Sequence, residues 1–207
     1  RRRAVGTAYR ADHAAIADAG DDSTGLVVGS APQYPQGVID DITAIAALAL
    51  ERGTSCHVDA CMGGFTLPFL AMEGLIDTPF DFRVPGVTTL SADVHKYGYT
   101  PKGVSVILHR DKASRQRQTF LFDAWLGGFY GSSGIAGTKP GGPVAAAWAS
   151  FQFRGLGGFR TKARAAYPAR PPPHPGPRPP PARPPVGPPP ATAGPPLPGF
   201  SPPSRSP

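Results

Sequence analysis

Two charged side chains in the middle of the chain stand where chemistry is possible. Asp59 lies at the end of a short apolar run, just before the loop 62–64, and Lys96 follows the β-rich run 87–92 with His95 beside it. A lysine amine can form a Schiff base with an aldehyde, and a carboxylate paired with a pyridine nitrogen keeps that ring an electron sink. This combination is what pyridoxal phosphate chemistry needs. His95 would then contact the cofactor phosphate or assist a proton transfer.

Each of these residues also has an ordinary interpretation. Asp59 could cap a loop, His57 could be a satisfied core histidine, and Lys102 could be an exposed turn lysine. The basic cluster 110–117 is typical of a solvated surface or a helix end rather than of a nucleic-acid site. No metal site is predicted: Cys56 and Cys61 lack the paired spacing of zinc ligands, so we expect two reduced, semi-buried thiols.

The elements that must position Asp59 form a predicted βαβ unit. Residues 25–29 and 56–60 read as short buried strands, and between them a helix begins at Asp40 and Asp41 and ends at Gly53. Such a unit implies a parallel sheet with a right-handed crossover, in which ligands bind at the carboxyl ends of the strands. Asp59 falls at such an end.

The second half of the chain predicts an addition to this sheet. Residues 87–92 and 104–108 read as neighbouring strands of an antiparallel hairpin, with Lys96 in the connecting loop. The glycine-rich segment 127–142 is not expected in the core. Pro143 opens a helix that we expect to end near Phe153, because three glycines follow. The fold class is therefore α/β, a mainly parallel sheet with flanking helices.

Composition divides the chain in two. Of its 28 prolines, 20 lie in residues 167–207, a stretch without acidic residues, so we expect residues 1–166 to fold and residues 167–207 to form a disordered proline-rich tail. The net charge of +7 falls to about +3 without the tail's four arginines, which removes any argument for nucleic-acid binding. With no apolar run of about 18 residues and no leader, the chain as given is expected to be soluble.

Four sequence blocks resemble the sphingosine-1-phosphate lyases, within the group II decarboxylase-related family of fold-type I pyridoxal phosphate enzymes. The resemblance begins near Asp12 and fades near Ala166. All four occur in the family's order and intervals, which makes the resemblance specific. They are Gly-Ser-Ala-Pro-Gln-Tyr-Pro-Gln-Gly-Val-Ile-Asp (29–40), His-Val-Asp-Ala-Cys-Met-Gly-Gly-Phe (57–65), Phe-Asp-Phe-Arg-Val-Pro-Gly-Val-Thr (80–88) and Ser-Ala-Asp-Val-His-Lys-Tyr-Gly-Tyr-Thr-Pro-Lys-Gly (91–103).

The resemblance implies a role for each matching residue. Lys96 looks like the Schiff-base lysine, Asp59 the partner of the pyridine nitrogen, His57 a neighbour of the cofactor ring and His95 a phosphate contact. Lys102 matches a second family lysine near phosphate groups. The segment 127–138 resembles the one that reaches the cofactor phosphate of the partner subunit. Within it, Gly134 stands where the family usually has threonine, and elsewhere Val104 replaces a common serine.

The resemblance also implies a reaction. A pyridoxal phosphate lyase of this kind cleaves a phosphorylated sphingoid base by a retro-aldol step into a long-chain aldehyde and phosphoethanolamine, and works as a homodimer. The family's Gly-Gly-Thr-Glu loop, stacking histidine, N-terminal membrane anchor and C-terminal small domain are not found, so we expect a fragment of the large, cofactor-binding domain that is inactive by itself. An intact eukaryotic member would face the cytosol at the endoplasmic reticulum membrane.

Two other functions stay open. An amino-acid decarboxylase would use the same cofactor, although the run 82–87 and the sequence His-Lys-Tyr-Gly at 95–98 favour the lyase. Alternatively, the chain is a non-catalytic remnant whose prolines at 171–173 and 179–181 bind partners as polyproline II segments.

Overall fold

The computed structural model describes residues 8–167. Its centre is a four-stranded sheet in the order β1-β2-β3-β4, in which β1, β2 and β3 run parallel and β4 pairs antiparallel with β3. A separate antiparallel hairpin follows, made of β5 and β6. The strands are β1 Leu26–Ser30, β2 Ser55–Asp59, β3 Val87–Ala92, β4 Val106–His109, β5 Phe120–Phe122 and β6 Tyr130–Ser132.

Five helices complete the described part. Three of them begin at an aspartate whose carboxylate accepts backbone N–H groups of the first turn, as expected of an N-cap: Asp12, Asp41 and Asp111. The helices are α1 His13–Ala19, α2 Ile42–Glu51, α3 Leu67–Met72, α4 Lys112–Arg117 and α5 Gly141–Ala166. None of these helices is long and apolar enough to cross a membrane.

The core lies on one side of the sheet. Alternate residues of β1, β2 and β3 are buried there together with apolar residues of α2 and α3. On the other side the alternation places half-buried polar residues on β2 and β3, flanked by Val28 and Ile107, which are about half exposed. The polar face therefore carries the residues whose chemistry is of interest.

The structure confirms the predicted α/β class and most of the predicted order. Residues 26–59 form the βαβ unit with parallel strands, and β4 is the antiparallel neighbour of β3. The strand predicted at 104–108 is shifted to 106–109. The predicted break after Phe153 is confirmed, because the helical backbone is interrupted at Gly155, whose φ is +54°. The second half of α5, which continues from this kink to Ala166, was not predicted. The hairpin β5–β6 was not predicted.

The predicted boundary between the folded part and the proline-rich tail lies at residue 167, the last described residue. The proline-rich segment and its polyproline motifs lie outside the described residues, apart from Tyr167.

Candidate active site

Asp59 is fixed by two hydrogen bonds at the carboxyl end of β2. Its Oδ1 accepts from the backbone N–H of Cys61 at 3.0 Å and from the hydroxyl of Ser91 at 3.2 Å. Ser91 is the register partner of Asp59 on β3. The carboxylate is half-buried, and its orientation is set jointly by its own loop and by the neighbouring strand.

His57 lies two residues before Asp59 on the same face of β2. Its Nδ1 lies 2.8 Å from the hydroxyl of Thr89, and its Nε2 lies 3.2 Å from the hydroxyl of Ser91. Because Ser91 donates its proton to the carboxylate of Asp59, its oxygen accepts from Nε2–H, which leaves Nδ1 to accept from Thr89. Burial lowers the pKa of His57, and the nearby charge of Asp59 offsets this only in part. The ring is therefore neutral at pH 7.

Lys96 lies in the loop that leaves β3. Its Nζ is 2.9 Å from Oδ2 of Asp93, and the thiol of Cys61 also contacts the amine. The hydrogen bond to Asp93, with the smaller contribution of Cys61, raises the pKa of Lys96 above its ordinary value. Lys96 is therefore a protonated ammonium group that forms an ion pair with Asp93.

His95 lies near the same carboxylate oxygen of Asp93 as Lys96 does. Its Nδ1 lies 3.0 Å from the carbonyl of Val104, so this nitrogen carries the proton and donates. Its Nε2 is 3.6 Å from Oδ2 of Asp93. Nε2 of His95 therefore faces the carboxylate of Asp93, which is also the ion-pair partner of Lys96.

Cys61 connects the two predicted catalytic residues. Its backbone N–H donates to the carboxylate of Asp59, and its carbonyl accepts from the backbone N–H of Asp93 at 3.2 Å. Its thiol interacts with both Asp59 and Lys96. Burial raises the pKa of Cys61, so the contact with Lys96 is made by a neutral thiol. Asp59 and Lys96 therefore lie on either side of one cysteine at the carboxyl ends of β2 and β3.

Both cysteines are free, as predicted. Cys56 differs from the expected semi-buried thiol because it is fully buried, and this burial raises its pKa to about 11. Within residues 8–167, no group of three or more His, Cys, Asp or Glu side chains is arranged to hold a metal ion.

Two glycines let the loop after β2 approach its neighbours. A Cβ on Gly63 would collide with the carbonyl of Ala31 and with Pro32, and a Cβ on Gly64 would collide with the side chain of Ala92. The loop that carries Cys61 can therefore pack against the ends of β1 and β3 only because these positions lack side chains.

Lys102 and Gly134 lie apart from this cluster. Lys102 is in an exposed turn before β4, and Gly134 follows β6, where its backbone N–H donates to the hydroxyl of Ser132 at 3.3 Å. Among the hydrogen bonds and ion pairs of residues 8–167, none joins either residue to Asp59 or Lys96.

Sequence reasoning missed the supporting residues. Thr89 binds His57, and Ser91 binds both His57 and Asp59. Asp93 contacts Lys96 and His95, and Ser105 in turn binds Asp93. For Thr89 and Ser91 a signal existed, since they alternate on the strand predicted to neighbour His57 and Asp59. Nothing in the sequence indicated that Ser105 would face Asp93.

Comparison with known proteins gives a consistent result. The chain is 47% identical over 156 residues to the sphingosine-1-phosphate lyase of Dictyostelium discoideum, a match that covers 75% of this chain and 30% of that protein. The solved sphingosine-1-phosphate lyase of Burkholderia pseudomallei matches at 45% identity with a TM-score of 0.74, covering 78% of this chain and 37% of that one. No family model matches.

A glutamate decarboxylase of Lactobacillus brevis has the same fold at 25% identity, with a TM-score of 0.65 over 77% of this chain and 37% of that one. The chain spans less than a third of the length of the Dictyostelium relative. Most of this chain is thus homologous to one part of the sphingosine-1-phosphate lyases, with the fold-type I architecture that they share with the decarboxylases.

Proposed function

We propose that this chain provides the cofactor-binding core of a pyridoxal phosphate-dependent carbon-carbon lyase. Its substrate would be a phosphorylated sphingoid base, and its products a long-chain aldehyde and phosphoethanolamine. The observation that carries the proposal is the meeting of Asp59 and Lys96 around Cys61 at the carboxyl ends of adjacent parallel strands. Ligands of open α/β sheets bind at such ends.

The residues present fit this cofactor. Lys96, with a third of its side chain exposed, offers the amine that would hold the aldehyde carbon, and Asp59 offers a carboxylate for the pyridine nitrogen. When bound, the cofactor supplies an electron sink for the negative charge that develops on the substrate carbon as its bond to the neighbouring carbon breaks.

The chain's own residues prepare these two groups. The N–H of Cys61 and the hydroxyl of Ser91 aim the carboxylate of Asp59, while His57 holds Ser91 in the orientation that donates to it. The amine of Lys96, which is paired with Asp93, must lose a proton before it can act as a nucleophile.

The remaining site residues have secondary roles in the proposal. His95 would contact the cofactor phosphate, and Lys102 would lower the cost of gathering phosphate groups near the site. Gly134 and its segment would reach the cofactor phosphate of a second subunit, which requires a homodimer. An intact eukaryotic enzyme would act at the cytosolic side of the endoplasmic reticulum membrane.

The decarboxylase alternative is less well supported. The lyase structure matches at 45% identity, whereas the decarboxylase structure matches over a similar share of the chain at 25%. Supplying a phosphorylated sphingoid base and an amino acid separately, and measuring aldehyde against carbon dioxide, separates the two activities in any longer form of the protein that is active.

Trapping of the cofactor tests the proposal on the chain itself. Pyridoxal phosphate is added, the imine is reduced with borohydride, and the modified peptide is identified by mass spectrometry. We expect this chain by itself to bind pyridoxal phosphate weakly, but the phosphopyridoxyl group that is trapped should lie predominantly on Lys96, and Lys96→Ala should abolish it. Lys112→Ala, at an exposed lysine of α4, is the matched control. Equal labelling of the exposed lysines, unaffected by Lys96→Ala, would contradict the proposal.

A further inference from the structure

Asp93 is a carboxylate near the site to which sequence analysis assigned no role. It is the first residue after β3, and only 16% of its side chain is exposed. Its Oδ1 accepts from the hydroxyl of Ser105 at 2.6 Å, and its Oδ2 lies 2.9 Å from Nζ of Lys96 and 3.6 Å from Nε2 of His95. One carboxylate thus contacts two of the predicted cofactor residues.

We propose that Asp93 is a positioning residue, which holds the amine of Lys96 and the imidazole of His95 at the end of β3 through a carboxylate that Ser105 fixes. The importance of this role for catalysis rests on the proposed function. The ion pair between Asp93 and Lys96, and its effect on Lys96, do not depend on that function.

The loop geometry supports this role. Asp93 stands where the chain leaves β3, and Ser105 stands just before β4, so their hydrogen bond closes the loop 93–105. The bond from Nδ1 of His95 to the carbonyl of Val104 closes it a second time. Lys96 therefore lies in a loop whose two ends are joined by hydrogen bonds, one of which is made by Asp93.

A lysine side chain needs such a partner to occupy one position. Its flexible four-carbon stem loses about 2 kcal/mol of rotamer entropy when it is fixed. A half-buried ion pair at 2.9 Å opposes that loss, and its attraction is screened less than that of a pair on the surface. Without Asp93, the thiol of Cys61 is the other contact of the amine.

The charge of Asp93 has a second consequence. Burial raises the pKa of Asp93, but the hydrogen bond from Ser105 and the contact with Lys96 outweigh it and hold the pKa below its ordinary value. Asp93 is therefore ionised wherever Lys96 is protonated, and the pair persists across neutral pH. The groups that face the pair are Cys61 and His95.

Competitive acetylation of the full chain without cofactor tests this inference. Acetic anhydride is used in trace amounts at about pH 9, and the labelling of Lys96 relative to Lys102 is read by mass spectrometry. Only the free amine reacts, and its fraction changes about tenfold for each unit of pKa. We expect Asp93→Asn to raise this ratio at least about threefold, Ser105→Ala to raise it less, and Asp93→Glu to restore it in part.

Asp111→Asn is the matched control, because it makes the same substitution at the N-cap of α4, and it should leave the ratio unchanged. If Asp93→Asn fails to fold, it will show increased labelling of buried groups and no thermal transition. In that case the inference is tested with Ser105→Ala, by the labelling of Lys96 relative to Lys102. An unchanged ratio in the folded Asp93 and Ser105 variants overturns the inference. Because no cofactor is present, failure to trap pyridoxal phosphate on Lys96 would count against the proposed function alone.

Discussion

At the scale of single residues, His57 connects stability to pH. Its Nδ1 accepts a hydrogen bond from Thr89, so protonating the ring replaces that acceptor with a second donor. Burial lowers the pKa of His57 below its ordinary 6.5, and the unfolded chain therefore takes up the proton at a higher pH than the folded chain. Stability rises with pH wherever the unfolded state binds more protons, so it should fall as the pH drops below about 6.5.

Urea midpoints of the wild type and of His57→Gln, measured at about pH 7.5 and about pH 5.5, check this expectation. The variant should be less stable at the higher pH, where the neutral imidazole makes both bonds, and should lose less on acidification. His13→Gln, at an exposed histidine of α1, is the control. The same loss on acidification in the wild type and in His57→Gln would show that another group is responsible.

Residue by residue, the sequence could predict only part of the site. Asp59 and Lys96 were singled out because a carboxylate and a lysine at neighbouring strand ends suit one cofactor. Spacing alone is a weak signal, since most such residues are ordinary surface charges, and the resemblance of the surrounding sequence blocks strengthened the prediction. Ser91 could be placed on the neighbouring strand but not paired with Asp59, and Asp93 had no signal, because an aspartate three residues before a lysine usually lies on the surface. Their roles depend on strand register and loop closure, which the structure supplies.

At the scale of elements, the approach of the loop after β2 to the end of β3 depends on Gly64. Its missing side chain leaves room for Ala92, and a Cβ there would also lie 3.1 Å from the carbonyl of Ala60. Forcing an extra methyl group into such a contact costs about 1–3 kcal/mol. Gly64→Ala should lower the free energy of unfolding by about that amount.

Because Ala92 directly precedes Asp93, the same substitution should also weaken the trapping of pyridoxal phosphate on Lys96. The control is Gly25→Ala, since a Cβ at Gly25 meets nothing within 4 Å. Urea denaturation and the trapping yield measure the two effects. A Gly64→Ala variant as stable as Gly25→Ala would mean that the loop has room to move.

The bend in α5 depends on Gly155 in a different way. Its φ of +54° and ψ of −174° lie in a region that is essentially restricted to glycine. Before the bend, Ser150 donates to the carbonyl of Gly98 at 3.1 Å; after it, Arg160 forms an ion pair with Glu73, the residue that follows α3. The two halves of the helix thus reach different partners.

Gly155→Ala should therefore cost about 1–3 kcal/mol. Gly157→Ala provides the contrast, because Gly157 has ordinary helical backbone and open space, and alanine there should stabilise by about 0.5–1 kcal/mol. Thermal unfolding of the two variants should shift in opposite directions. Stabilisation by both would mean that the bend is not required.

This bend also shows what sequence reasoning about the elements missed, namely the helical half that follows it. Three glycines in four residues predict a helix end, and Gly155 does interrupt the helical conformation. The helix resumes because Phe159 and Ala163 bury themselves against the core, a gain from tertiary contact that outweighs the poor helix propensity of Gly157 and Gly158. The strands were predictable because their apolar runs were short and were bounded by clear turn residues.

At the scale of the whole molecule, several large apolar side chains are exposed in one segment of the chain. Leu126 and Ile135 are fully exposed, and Phe129 is 74% exposed, all within the hairpin β5–β6 and the segment that follows it. Large apolar patches on a protein surface mark interaction sites. The segment is also the one that we propose contributes to a second subunit's site.

We therefore expect the chain to self-associate through this hairpin. Sedimentation velocity over a range of concentrations should show dimers or larger species, and the double variant Leu126→Ser with Ile135→Ser should shift the distribution toward monomer. Met72→Ser removes a similarly sized apolar side chain, 59% exposed on α3, and should not do so. A wild type that stays monomeric at every concentration, or an equal effect of Met72→Ser, would argue against the hairpin as the contact. In that case Gly134 would have no route to a partner's cofactor, and the site would have to be completed within one chain.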